Sequence, residues 1–156
     1  MRICVSATTR PARPTEKHGV HYHFISEREF HSKVSSGGFL EWAEVHGNLY
    51  GTPRDGVEEL LDRGHDVILE IDVQGAAQVK QRLPDSRLIF IEPPSMAVLD
   101  GRLRSRRTEQ EDEQDRRRAA AHEEIRRGNG FDAVIVNDQL DRCVQEVLDM
   151  MDKSKE

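Results

Sequence analysis

Val67-Ile68-Leu69-Glu70-Ile71-Asp72-Val73-Gln74-Gly75 packs two signals into one short stretch. The aliphatic, β-branched run over 67–71 predicts a strand buried on both faces, the kind found in sheets with parallel pairs. Glu70 and Asp72 then fall at its carboxyl end, where α/β sheets bind ligands. Carboxylates in that position are costly to bury unless paired, so they point to a metal or a ligand. Gly75 permits a close backbone approach where the next helix, predicted over about 74–82, begins.

Toward the C terminus the alternation of strand and helix continues. Leu88-Ile89-Phe90-Ile91 predicts a second buried strand, stopped by Pro93-Pro94, and Ser95 caps a helix running to about residue 106. The stretch 109–118 is almost wholly charged and cannot bury a wide face. Ala133-Val134-Ile135-Val136 predicts a third core strand. Leu140, Cys143, Val144, Val147, Leu148 and Met151 then recur at helical spacing. Toward the N terminus the chain opens on the apolar run Ile3-Cys4-Val5, which reads as a strand severed from something upstream. A loop is predicted over 8–14 and a short strand over 21–25. Ser26 with Glu29 forms a capping box for a helix ended by Gly37-Gly38, and Phe39 to Val45 predicts a strand. Gly47 to Gly51 reads as a turn, and Thr52-Pro53 as the start of a helix that reaches Gly64. Together these elements predict an α/β fold with a parallel sheet. The expected organisation is a single domain over 1–156, with a strand-rich insertion at about 7–55 and a charged helical lid at about 101–130.

The 156 residues suit one domain with a true core. A net charge of −6 argues against non-specific nucleic-acid binding, which needs a basic footprint, but leaves room for a local basic pocket. Cys4 and Cys143 lie far apart, without metal-ligand or redox spacing, and the seven histidines show no ligand spacing either. No apolar stretch reaches the roughly 18 residues of a membrane span, and no secretory segment follows Met1. The expected setting is the cytoplasm, away from membranes.

Three constellations carry chemistry. Ser6-Ala7-Thr8-Thr9-Arg10-Pro11-Ala12-Arg13-Pro14, followed by Tyr22, sets two arginines on a proline-stiffened loop, where guanidinium forks can take one phosphate. Read without context, the same arginines are ordinary solvated charge. Glu41-Trp42-Ala43-Glu44-Val45-His46-Gly47-Asn48-Leu49-Tyr50-Gly51-Thr52 combines a carboxylate with a hydroxyl. A guanine edge offers N–H donors beside an O6 acceptor, so a Glu with a Thr is chemically apt, although a strand Glu can equally be plain surface charge. The third constellation is Glu70 to Gly75.

In this order and spacing the blocks closely resemble the guanylate kinase family, and the likeness continues through Ile89 to Ser95, the lid arginines and Val134-Ile135-Val136-Asn137-Asp138. The resemblance implies a P-loop NTPase-like parallel sheet flanked by helices and ATP-dependent phosphorylation of GMP to GDP, with Mg2+. It implies that Ser6, Glu41, Thr52 and Asp72 hold the guanine edge. Arg10, Arg13, Tyr22 and Tyr50 would hold the GMP phosphate. Catalytic roles would fall to Arg10, Glu70, Arg102, Arg106 and Arg117, and ATP contacts to Arg102, Arg106 and Asn137.

The family pattern also includes a Gly-rich loop ending in Gly-Lys-Ser or Gly-Lys-Thr, and none of the 11 glycines here is followed by Lys. An N-terminally truncated fold is therefore expected, lacking the first strand, the phosphate loop and the first helix. That predicts marginal stability or self-association, and retention of only the GMP half of the site. In the lid, Ser105 and Arg107 stand where the family usually has glycine, while Gln114 and Arg118 replace apolar residues. Three readings remain open: a kinase whose recorded start lies too far downstream or a fragment of one, a kinase-dead guanylate-kinase-like binding module, and a decaying gene product.

Overall fold

Period-two alternation would set Phe39 and Trp42 on opposite faces of a strand, yet both pack into one apolar cluster with Ala7 and Phe30. A bulge in the strand explains this, and it also aims the site. The computed structural model describes residues 1–105, 121–128 and 130–152. These divide between two compact units, Met1–Ser86 and Arg87–Glu156.

The first unit contains β1 (Arg2–Ile3), β2 (Ala7–Thr8), β3 (His23–Phe24), α1 (Glu27–Ser35), β4 (Phe39–Val45), β5 (Asn48–Pro53), α2 (Arg54–Asp62), β6 (Val67–Ile68) and α3 (Val73–Arg82). Four of its strands form a sheet in the order β3-β2-β5-β4. β4 and β5 form an antiparallel hairpin that turns at His46-Gly47, where both residues have positive φ (51° and 74°). That is the backbone of a two-residue primed turn, whose twist suits the flanking strands. The predicted turn at 47–51 is therefore wrong in extent. Asn48 onward is strand, because pairing with β2 and β4 overrides the turn-rich local composition. Thr52 likewise lies in β5 and caps nothing; Pro53 is the N-cap of α2 and makes no side-chain cap bond.

The capping box at Ser26 is present in full, with the Ser26 hydroxyl accepting from the Glu29 N–H and the Glu29 carboxylate accepting from the Ser26 N–H. Its helix buries Phe30, whose ring lies 4.5 Å from that of Phe39. The second apolar cluster, Cys4, Leu40, Val57 and Val79, joins β4 to α2 and α3. The register of β4 shifts between Phe39 and Glu41, so Leu40 enters this cluster while Phe39 and Trp42 stay in the other.

β6 pairs in parallel with β1 over Val67 and Ile68 only. Both residues are half-buried and Ile3 opposite is 67 % exposed, so this pair is not the doubly buried strand that the aliphatic run predicted. Hydrophobic runs report affinity for a core but not how many layers cover it.

The second unit contains β7 (Ile89–Glu92), α4 (Met96–Ser105), a helical segment over 121–128 (α5), β8 (Ala133–Val136) and α6 (Leu140–Asp152). β7 and β8 pair in parallel from Ile89 opposite Ala133 to Glu92 opposite Val136. The Ser95 hydroxyl accepts from the Val98 N–H, the cap expected for α4. Ile135 is buried, but Ile91 and Val134 are exposed, so the expected double burial fails here as well. No helix among the described residues is long and apolar enough to cross a membrane.

Candidate functional site

Two adjoining clusters form on the sheet of the first unit, and cross-strand register builds both. Glu41 of β4 lies opposite Thr52 of β5. Ala7 of β2 lies opposite Gly51 and beside His23 of β3, so one further step along each strand sets Ser6 beside Thr52 and Tyr22 beside Ser6. Tyr22, Ser6, Thr52 and Glu41 thus make one row across four strands. Cross-strand partners share a face, so these side chains share one side of the sheet. Tyr50, two positions before Thr52, lies on the same face about 7 Å along the strand.

At one end of the row Glu41 is only 4 % exposed, and its Oε1 accepts from the Thr52 hydroxyl at 2.6 Å. Helix α3 begins against this carboxylate. Asp72 is its N-cap and accepts from the Gly75 N–H at 2.8 Å. A Cβ at position 75 would stand 3.0 Å from Glu41 Cδ and well inside the contact radius of Oε2. Glycine is required there because a carboxylate occupies the space a side chain would need. Burial, with a contribution from the nearby Asp72 charge, holds the Glu41 carboxyl above its ordinary value, against the opposing effect of the Thr52 hydrogen bond. The arrangement is a buried acid, a hydroxyl and a second acid brought close together where α3 begins. It is poised to accept hydrogen bonds from a ligand presenting adjacent N–H donors.

At the other end Arg10, only 17 % exposed, lies over two aromatic rings, 5.7 Å from the centroid of Tyr22 and 5.9 Å from that of Phe24. The Tyr22 and Tyr50 rings meet edge-on at 6.0 Å. Arg10 Nη1 donates to the Pro11 carbonyl at 2.8 Å, and Nη2 to Glu16 Oε1 at 2.8 Å. Glu16 also accepts from the Arg13 backbone N–H at 2.7 Å, while the Arg13 guanidinium stands 3.9 Å away and is 68 % exposed. The hydrogen bond from Arg10, joined by that from the Arg13 backbone, pulls the Glu16 carboxyl down to about 2. The reciprocal bond to Glu16 raises Arg10, with a smaller hydrogen-bonded contribution from Tyr50 against the lowering effect of burial. Tyr22 is raised, chiefly by burial and next by the charge of Glu70.

Glu41, Thr52 and Asp72 therefore gather at one end, and Arg10, Tyr22 and Tyr50 at the other, with Ser6 between Tyr22 and Thr52 in the row and Arg13 attached through Glu16. Glu16 was not singled out from the sequence. The available signal was a carboxylate following both arginines on the same proline-stiffened loop. Glu70 is exposed at the turn into α3. In the second unit Arg102 Nη2 donates to the Asn137 carbonyl at 2.9 Å. Arg106 and Arg117 lie outside the described residues.

The family model of guanylate kinase matches residues 1–154. A guanylate kinase of Symbiobacterium thermophilum is 52 % identical over 147 residues, which cover 94 % of this chain and 70 % of that protein. One from Neisseria gonorrhoeae is 50 % identical, covering 95 % of this chain and 72 % of its own length. The crystal structure of guanylate kinase from Anaplasma phagocytophilum superposes with a TM-score of 0.79 at 35 % identity, over 97 % of this chain and 74 % of that one. With a family match over nearly its whole length and relatives at half identity, the chain belongs to the guanylate kinase family.

Proposed function

We propose that the paired clusters on the β3-β2-β5-β4 sheet bind GMP as the phosphoryl acceptor, with its purine on the Glu41 end and its phosphate on the Arg10 end. The observation that carries this reading is the pair of opposed charge environments beside one sheet: a buried carboxylate held by the Thr52 hydroxyl and a guanidinium oriented by Glu16 over two aromatic rings. A guanine edge supplies two N–H donors to Glu41 and Asp72 and an O6 that a hydroxyl such as Thr52 or Ser6 can meet. Adenine presents no N1–H and would leave the buried acid unpaired, a mismatch that polar sites of this type reject strongly.

Arg10, Arg13, Tyr22 and Tyr50 would hold the phosphate by charge-assisted hydrogen bonds. An oxygen of that phosphate then attacks the γ-phosphorus of ATP in line. The new P–O bond forms as the bond to the β-phosphate oxygen breaks, and ADP leaves with the electron pair. For such a transfer the protein chiefly positions and neutralises two polyanions. Arg102 and Asn137, joined by their hydrogen bond, are the described candidates for the ATP side, and Arg106 and Arg117 complete the expected lid set. Mg2+ is bound in such sites through one or two carboxylates and the substrate phosphates, and supplies charge neutralisation there. The exposed Glu70 would fit that donor set.

A binding module without kinase activity is not favoured, because the acceptor-site residues are all present and relatives at 50–52 % identity carry the name guanylate kinase. Calorimetric titration of the chain with GMP, AMP and guanosine tests the reading. GMP should bind far more tightly than either of the others. Equal affinity for AMP would refute the base assignment, and equal affinity for guanosine the phosphate assignment.

A further inference from the structure

Among the described residues the outer edge of β4 meets no further strand in its sheet, yet the backbone of Trp42 does not go unpaired there. Gln78 of α3 supplies the missing partner. Its Nε2 donates to the Trp42 carbonyl at 2.7 Å, and its Oε1 accepts from the Trp42 N–H at 3.3 Å. A primary amide carries the same donor and acceptor as a peptide unit, so one side chain answers both groups of one strand residue. A second hold lies on the other side of Glu41. Arg82 Nη1 donates to the carbonyls of Phe39, at 3.3 Å, and Leu40. These carbonyls belong to the bulge, where the regular ladder is broken.

Helix α3 therefore grips β4 immediately before and immediately after Glu41. Between the two grips the same helix presents Gly75 to the Glu41 carboxylate and Asp72 at its own N-cap. Residues 72, 75, 78 and 82 recur at helical spacing, so a slip of α3 along β4 would move all of these contacts together.

We propose that Gln78 is a positioning residue for base selectivity: its amide fixes α3 against β4 and thereby sets the spacing of the Glu41 and Asp72 carboxylates that read the purine edge. This rests on the assignment of Glu41 to the guanine edge. A merely structural amide would contribute to stability without caring which purine is bound. A positioning amide must alter discrimination between purines that differ at the read edge.

The test compares GMP with inosine monophosphate, the same nucleotide without the exocyclic 2-amino group, by calorimetry on the full chain and its Gln78→Met, Gln78→Glu and Glu41→Ala variants. Thermal stability is measured in parallel. Gln78→Met should reduce the GMP preference about five- to tenfold, the scale of one or two lost hydrogen bonds. Should that variant not fold, Gln78→Glu decides: it keeps the acceptor for the Trp42 N–H, loses the donor, and should still show the reduced ratio. A Gln78 variant that melts earlier but keeps the wild-type preference overturns the positioning role. Glu41→Ala distinguishes the two levels. If it abolishes the preference while the Gln78 variants retain it, only this inference fails; if it leaves the preference intact, the assignment of Glu41 fails and this inference with it.

Discussion

Glu41 and Glu16 are carboxylates of one sheet-and-loop assembly driven in opposite directions. Glu41 is buried, with a hydroxyl for a partner, and is held above its ordinary value. Glu16 has the Arg10 guanidinium and the Arg13 backbone N–H, and sits at about 2. Solvent exclusion disfavours the charge at the first position, and fixed donors favour it at the second. The difference teaches what each region still lacks. The purine end holds a buried acid partnered by one hydroxyl, to which a ligand would bring further donors. The phosphate end has its cation already oriented by an internal anion and by the rings of Tyr22 and Phe24.

The largest effect should come from removing the buried acid. Glu41→Ala should weaken GMP binding by about 10²–10⁴-fold, the scale of two charge-assisted hydrogen bonds, as read by calorimetry. Glu41→Gln should weaken binding too, yet melt at a higher temperature than wild type at neutral pH. The sign follows from the raised carboxyl. The folded state holds that proton more tightly than the unfolded chain, whose ordinary value is 4.5, so wild-type stability falls as pH rises above 4.5. The glutamine has no proton to lose and escapes that fall. A thermal melt series from pH 4 to 8 on both proteins reads it.

Next in size is Arg10→Lys. It should lower GMP affinity about 10–100-fold while leaving guanosine affinity unchanged, because an ammonium cannot fork onto a phosphate as a guanidinium does. A parallel loss for guanosine would erase the proposed division of labour between the two ends. Gly75→Ala should follow, displacing Glu41 through the added methyl and destabilising the fold by about 1–3 kcal/mol, with weaker GMP binding by calorimetry. The smallest effect is Glu16→Gln. The depressed Glu16 carboxyl contributes stability that is present above 4.5 and lost as pH falls through about 2. Acid melts of the variant should therefore show a shallower decline over that window.

Much of this was legible in the sequence, and the boundary is physical. Local devices could be read directly: the Ser26–Glu29 capping box, the bounds of β4 at Phe39 and Val45, and the helix read from about Gln74, which begins one residue earlier at Val73. Each depends on residues within a few positions of one another. The composition of each site cluster was also legible, because oxyanion and base-edge chemistry restrict the residue types. Features that depend on partners distant in the chain were missed. The stretch read as a turn at 47–51, with Thr52-Pro53 read as a helix start, is strand from Asn48 to Pro53 because β2 and β4 flank it. The aliphatic run at Val67 met a single two-residue partner. Gln78 and Arg82 look like ordinary helix polar residues until the bulged edge of β4 lies beside them. The bulge itself has no signature in Phe39-Leu40-Glu41 beyond three successive buried residues, which alternation does not allow.

One measurement bears most directly on the whole account: a crystal structure of the chain with GMP bound. The account predicts guanine N1 and N2 within hydrogen-bond distance of the Glu41 and Asp72 carboxylates, with the phosphate in reach of Arg10, Arg13, Tyr22 and Tyr50. A nucleotide bound elsewhere, or one bound here in reverse with its phosphate toward Glu41, would contradict it.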